Sequence, residues 1–170
     1  GTMHAISITS DCCFLIVHSE APNLQSEDHP IISSLLEMAA TLAVQLHLTS
    51  LQMAGSHELQ SCIDYIRDLT KDSPHPKLLI AGSNLETAIT FVALEALAHG
   101  FDVYLLMDFI EQPDKELSQF HVQRLQQAGT VSTTLIQLLG EWSITSESEE
   151  LTDRIAEIST KLLKSRLRRS

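Results

Sequence analysis

The stretch LLIAGSNLETAITFVALEALAHGFDVYLLMD, Leu78 to Asp108, decides the fold of this chain. Four apolar residues lead to Gly82, a segment rich in Ala and Leu runs to Gly100, and a second apolar run ends at Asp108. The first and last runs have strand length and are bounded by glycines, while the middle segment has helix length and strong helix formers. The reading is strand, turn, helix, turn, strand, which is the βαβ unit of a parallel sheet. In such sheets binding and catalysis gather where strands end and helices begin. The first turn of this helix is expected near Thr87 and Ala88, with its unpaired N–H groups available to an anion or small molecule.

Outward from this unit the same alternation continues. Phe14 to Val17 reads as a short buried strand entered from Thr9-Ser10-Asp11, with Cys12 and Cys13 just ahead of it. Pro30 opens a helix that places Ile31, Leu35, Met38, Leu42 and Leu46 on one face. Thr49 to Ala54 reads as a second strand turning at Gly55-Ser56. Leu59, Cys62, Ile63 and Ile66 mark a short amphipathic helix ended by Ser73-Pro74-His75-Pro76. Beyond Asp108 a helix is expected over Leu117 to Ala128, then a short strand at Thr130 to Ser132, and a helix reaching Trp142. A polar stretch, Ser143 to Ser148, precedes a last helix with Leu151, Ile155, Ile158 and Leu162 at helical spacing. The expected fold class is α/β, a three-layer αβα doubly wound parallel sheet of Rossmann-like type with right-handed crossovers.

Composition excludes several functions. The chain has 170 residues, 44% of them hydrophobic and 19% charged, with a net charge of −11. That is one domain large enough to bury a normal core. No apolar run is long enough to span a membrane. An acidic body argues against nucleic acid as the main partner, because phosphate binding needs a basic face. The cations are unevenly placed: none precedes Arg67, while Lys161, Lys164, Arg166, Arg168 and Arg169 crowd the last ten residues. Three cysteines, two of them adjacent, make a poor disulfide framework, and no basic region followed by an apolar one opens the chain. Both points predict a reducing cytoplasm. Gly1-Thr2 ahead of Met3 reads as an expression remnant.

The segment Gly82-x5-Ala88-Ile89, with Ala96, Gly100-Phe101-Asp102-Val103 and Asp108, resembles the nucleophile region of the isochorismatase-like cysteine hydrolases, relatives of nicotinamidases. Gln126-Gln127-Ala128-Gly129-Thr130-Val131 and the following Ser-Thr-Thr are similar to the small bacterial branch of that family. Cys13-Phe14-Leu15-Ile16-Val17-His18-Ser19-Glu20 resembles its first strand, which normally ends in Asp-x-Gln. The resemblance covers residues 10 to 142. It implies the isochorismatase-like fold and, in active members, a cysteine nucleophile with an aspartate base and a supporting lysine. Such chemistry needs a thiolate with a base in reach. By the same resemblance the cysteine position here is Ala88, the aspartate position is His18, and the glutamine two residues on is Glu20. The lysine-bearing segment is absent, since no lysine occurs before Lys71. The resemblance also implies a non-proline cis peptide at Asn84-Leu85.

A rebuilt site is the alternative. The carboxyl edge of the expected sheet carries His18 and Glu20 after the first strand, and Ser56, His57 and Glu58 after the second. Ser83, Asn84, Leu85, Glu86 and Thr87 follow the third, and Asp108 the fourth. Ser–His–acid sets are recognised by geometry, not order, so Ser83 or Ser56 with His57 or His18 is the set to test for amide or ester hydrolysis. The plainer reading is that strand-end polar residues bond backbone or water. Cys12, Cys13 and Cys62 read as small buried hydrophobes. The eight histidines lack ligand spacing and the six glycines lie singly, so neither a metal nor a phosphate loop, nor any cofactor, is expected.

The expected organisation is a lead-in over residues 1-9, an isochorismatase-like domain over 10-142, and a helical extension with a basic tail over 143-170. The apolar stripe of the last helix either covers its own domain or joins a second subunit. The resemblance favours a homo-oligomer with the C-terminal helix at its interface.

Overall fold

A computed structural model describes residues 12–18, 47–52, 56–145 and 148–168. Five parallel strands form one sheet: β1 Cys12–His18, β2 His47–Gln52, β3 Lys77–Gly82, β4 Asp102–Ile110 and β5 Val131–Thr133, in the order β2-β1-β3-β4-β5. The α/β class expected from the sequence is what the chain adopts. Leu78, Leu79 and Ile80 are fully buried and Ala81 is 2% exposed. Consecutive burial means that β3 is covered on both faces, which is why its sequence reads as an unbroken apolar run.

Among the described residues the helices are α1 Ser56–Leu69, α2 Thr90–Ala98, α3 Lys115–Ala128, α4 Leu135–Thr145 and α5 Glu149–Arg168. A single π-helical turn, Leu85–Ile89, precedes α2. The described residues divide into two compact units, one of residues 12–18, 47–52 and 56–133, the other of residues 134–145 and 148–168. In the first, Cys13, Leu15 and Val17 of β1 and Leu78 and Ile80 of β3 join Val103 and Leu105 of β4 in one cluster with the apolar faces of α1, α2 and α3. Cys62, Ile63 and Ile66 of α1 lie in it as the helical spacing predicts. Ile63 and Ile66 are fully enclosed, each worth about 1.5–3 kcal/mol of burial.

Helix α3 begins where Asp114 accepts hydrogen bonds from the N–H groups of Glu116 (3.0 Å) and Leu117 (3.2 Å). It ends at Gly129, whose φ of 125° suits glycine alone. In the second unit α4 and α5 pack together, with Trp142, Ile155 and Ile158 buried. Their starts are capped by Thr134 Oγ1, accepting from Gln137 N–H (3.2 Å), and Ser148 Oγ, accepting from Leu151 N–H (3.3 Å). No helix among the described residues is long and apolar enough to cross a membrane.

Several boundaries differ from the sequence reading. Cys12 and Cys13 lie inside β1, and β2 begins at His47, two residues before Thr49, while its expected end at Ala54 lies outside the described residues. Ser56 opens α1, so it is helix and not turn. Helix α4 runs past Trp142 to Thr145, and the proposed boundary between residues 142 and 143 falls within it. The helix expected after Pro30 lies outside the described residues.

Candidate functional site

The order β2-β1-β3-β4-β5 has its reversal point between β1 and β3. Ligands of open parallel sheets enter outside the carboxyl ends of such strands. Here those ends are His18 of β1 and Gly82 of β3, with Val17 directly paired to Gly82. The candidate site is therefore built on Gly82 to Ala88.

Gly82 has φ 115°, and a Cβ there would run into the Val17 carbonyl oxygen and lie 2.7 Å from the Val17 nitrogen. Only glycine lets β3 come this close to β1 while turning. The turn continues at Ser83, whose N–H donates to the Val17 oxygen (2.8 Å) and whose hydroxyl donates to the same oxygen (3.3 Å). Asn84 then takes the left-handed conformation, φ 64° and ψ 49°, which asparagine tolerates better than most residues. Every peptide bond among the described residues is trans, so the cis bond implied at Asn84-Leu85 is absent. The left-handed Asn84 makes the sharp change of direction in its place.

From Asn84 the chain enters a π turn, not the α-helical first turn expected at Ala88. The Asn84 carbonyl accepts from the N–H groups of Ile89 (3.1 Å) and Thr87 (3.3 Å). Thr90 Oγ1 donates to the Leu85 carbonyl at 2.6 Å, holding the wide turn closed. Single π turns recur at functional sites, where they place one side chain off the helical register. The Thr87 N–H expected to serve an anion is turned inward to Asn84 instead. Ala88 is completely buried, in the apolar cluster with Leu85 and Ile89, while Glu86 and Thr87 face outward.

On the other side, β4 slips against β3. Ile80 pairs with Leu105, but Gly82 pairs with Ile110, so four residues of β4 (106–109) oppose a single one of β3. This bulge contains Asp108, which lies within β4 and not after it, and is exposed. The N–H of Glu111 closes the bulge on the Gly82 carbonyl (2.9 Å). Bulges beside sheet ends commonly re-aim side chains at active sites. Beyond the π turn, His121 of α3 sits 3.6 Å from the carboxylate of Glu86. Thr90, Glu111 and His121 were not among the residues chosen from sequence. A threonine five residues after Leu85 is a local signal for the first, but nothing local marks the other two.

Of the residues selected from sequence, Ser83 to Ala88 run from the end of β3 into the π turn, with Glu86 and Thr87 exposed, and Asp108 lies in the bulge of the neighbouring strand. Glu20 and the side chains of His18, Ser56 and His57 lie outside the described residues. No group of three or more His, Cys, Asp or Glu side chains poised for a metal occurs among the described residues. Arg67 and Lys71 line a cavity of about 500 Å³ with Pro74, Pro76 and Phe101 at the opposite, amino edge of the sheet. Lys77 starts β3 at that same edge.

Cys62 shows what burial does to a thiol in this core. Enclosure raises its pKa from an ordinary 9.0 to about 11. Native Cys62 is thus expected to resist iodoacetamide at pH 8 and react on unfolding, read by mass spectrometry of the alkylated peptide. The sign of its pH effect follows. Between pH 9.0 and about 11 the unfolded thiol ionises first, so stability declines as pH rises. Cys62→Ala removes that component of the decline, and an unchanged alkaline profile would count against the burial argument.

No family model and no curated protein matches the chain. Solved structures do. YcaC from Pseudomonas aeruginosa, with hexane-2,5-diol and covalent acrylamide, aligns with TM-score 0.62 and 14% identity over 96% of this chain and 98% of its own. The Escherichia coli YcaC gene product, described as an octameric hydrolase of unknown specificity, aligns with TM-score 0.58 and 15% identity over 99% and 100%. MAR1 ribonuclease from Caenorhabditis elegans aligns with TM-score 0.59 and 16% identity over 90% and 92%. At such identities the likeness establishes the fold alone, and it supports the isochorismatase-like architecture that the residues around Gly82 imply.

Proposed function

We propose that this chain is an isochorismatase-fold protein that has given up cysteine hydrolysis and serves as a binding, structural or regulatory module. The observation that carries this reading is Ala88. At the position the resemblance assigns to the nucleophile stands a methyl group, fully enclosed by apolar neighbours in a π turn. No nucleophilic atom is there, and a thiol introduced there would be buried like that of Cys62. The aspartate position is His18, and no lysine or arginine precedes Arg67. Ser83 is a poor substitute, because its proton is already held by a backbone carbonyl, which cannot act as a general base.

The proposal puts a small-molecule ligand at the carboxyl ends of β1 and β3, beside Ser83, Asn84 and the exposed Glu86 and Thr87. Self-association is part of the proposal, supported by the octameric E. coli structure with which the fold aligns. A panel of amides, esters and hydroxamates tests the reading. No turnover is expected from the chain or from Ala88→Cys. Turnover that is lost on His18→Ala or Ser83→Ala would establish a rebuilt hydrolase and overturn the proposal.

A further inference from the structure

We propose that the outer face of α3 is a two-fold self-association surface centred on Phe120, in which Glu116 of each copy pairs with Arg124 of the other. This rests on the self-association reading above and assigns it a surface. Helix α3 packs inward through Ser118, Val122 and Leu125. At about 100° per residue, Phe120 projects from the side opposite to these three. It is 64% exposed, and Leu117 on the same outer half is 51% exposed. A phenylalanine so placed adds little to the unit's own core, and its ring meets the edge of the His121 ring, with centroids 5.6 Å apart.

The charges beside it supply the register. Glu116 and Arg124 lie one turn before and one turn after Phe120, on the same outward face, and both are exposed. Neither takes part in an ion pair among the described residues. When two copies of α3 pack antiparallel about a two-fold axis through Phe120, residues equally far from it in opposite directions meet. Glu116 then faces Arg124 of the second copy, and the contact occurs twice, as an isologous interface requires. The two Phe120 rings meet at the centre, with helix axes about 8–10 Å apart. An acidic or basic foreign partner would match only one end of this face, whereas a second copy satisfies both.

Sedimentation velocity on the full chain over a concentration series tests the pairing, with thermal melts to show that each variant folds. Glu116→Arg and Arg124→Glu are each expected to raise the dissociation midpoint at least about tenfold, since each places like charges opposite one another. Mixing the two single variants restores association, because each then presents to the other the charge it lacks. Phe120→Ala weakens association by a similar factor. A wild-type chain that stays monomeric at about 100 μM overturns this proposal and the self-association reading together. Association untouched by the three substitutions overturns the α3 surface and leaves self-association standing. Weakened single variants that do not recover on mixing overturn the Glu116–Arg124 pairing.

Discussion

Gly82→Ala is expected to destabilise the protein by about 4 kcal/mol or more, enough to abolish soluble expression if the native chain has ordinary stability. Two costs combine. At φ 115° an alanine is strained, at about 1–3 kcal/mol, whatever space surrounds it. Here there is also no space, because the added carbon meets backbone of Val17 and cannot be relieved by a side-chain rotation. Moving β1 away would break the Ser83 N–H bond to Val17 and the Val17–Gly82 register. Gly140 provides the contrast. It lies inside α4 with nothing within 4 Å of a built Cβ, so Gly140→Ala is expected to stabilise by about 0.5–1 kcal/mol. Urea denaturation reads both. A Gly82→Ala midpoint close to wild type would mean that β1 and β3 do not approach as described.

Ile80→Ala is expected to cost about 2–5 kcal/mol, and Ile80→Val about 0.5–1.5. Ile80 is fully buried in the middle of β3, paired with Leu15 on one side and Leu105 on the other. Its side chain belongs to the cluster that joins the sheet to α1, α2 and α3. A cavity at that point has strands on both sides that cannot collapse into it without losing ladder hydrogen bonds. The loss is therefore expected near the upper end of the range. The same urea titration, with an unchanged slope, would show that stability alone was altered. A cost under 1 kcal/mol for the alanine would place Ile80 outside the core.

The proposed self-association surface and the candidate site after β3 differ in how far sequence reveals them. Glu116, Phe120 and Arg124 stand at helical spacing in the sequence, but an exposed Phe120 is indistinguishable there from a buried one. Which side of α3 faces inward depends on where Val122 and Leu125 find the sheet. The candidate site is the reverse case. Gly82, Ala88 and Gly100 announce their turn and helix directly, because glycine punctuates short apolar runs in a recognisable way. The side chains of His18 and His57 belong to the rebuilt-site alternative, and only the substitution and substrate experiments decide between it and the loss of chemistry.

What the sequence determined by itself is the alternation of strands and helices, the parallel sheet, and the methyl group at residue 88. These are local properties: apolar run length, helix-forming composition, glycine placement and residue identity. Tertiary structure decided the rest. It placed Ala88 in a π turn, because Thr90 closes on Leu85 and the chain enters through a left-handed Asn84. It put Asp108 in a bulge, because β4 slips past Gly82 to bond through Glu111. It also turned the Thr87 N–H inward. The bulge depends on partners that meet only when β3 and β4 lie side by side, while the bonds of the π turn are local and take the geometry set where β3 turns away from β1 at Gly82 and Asn84.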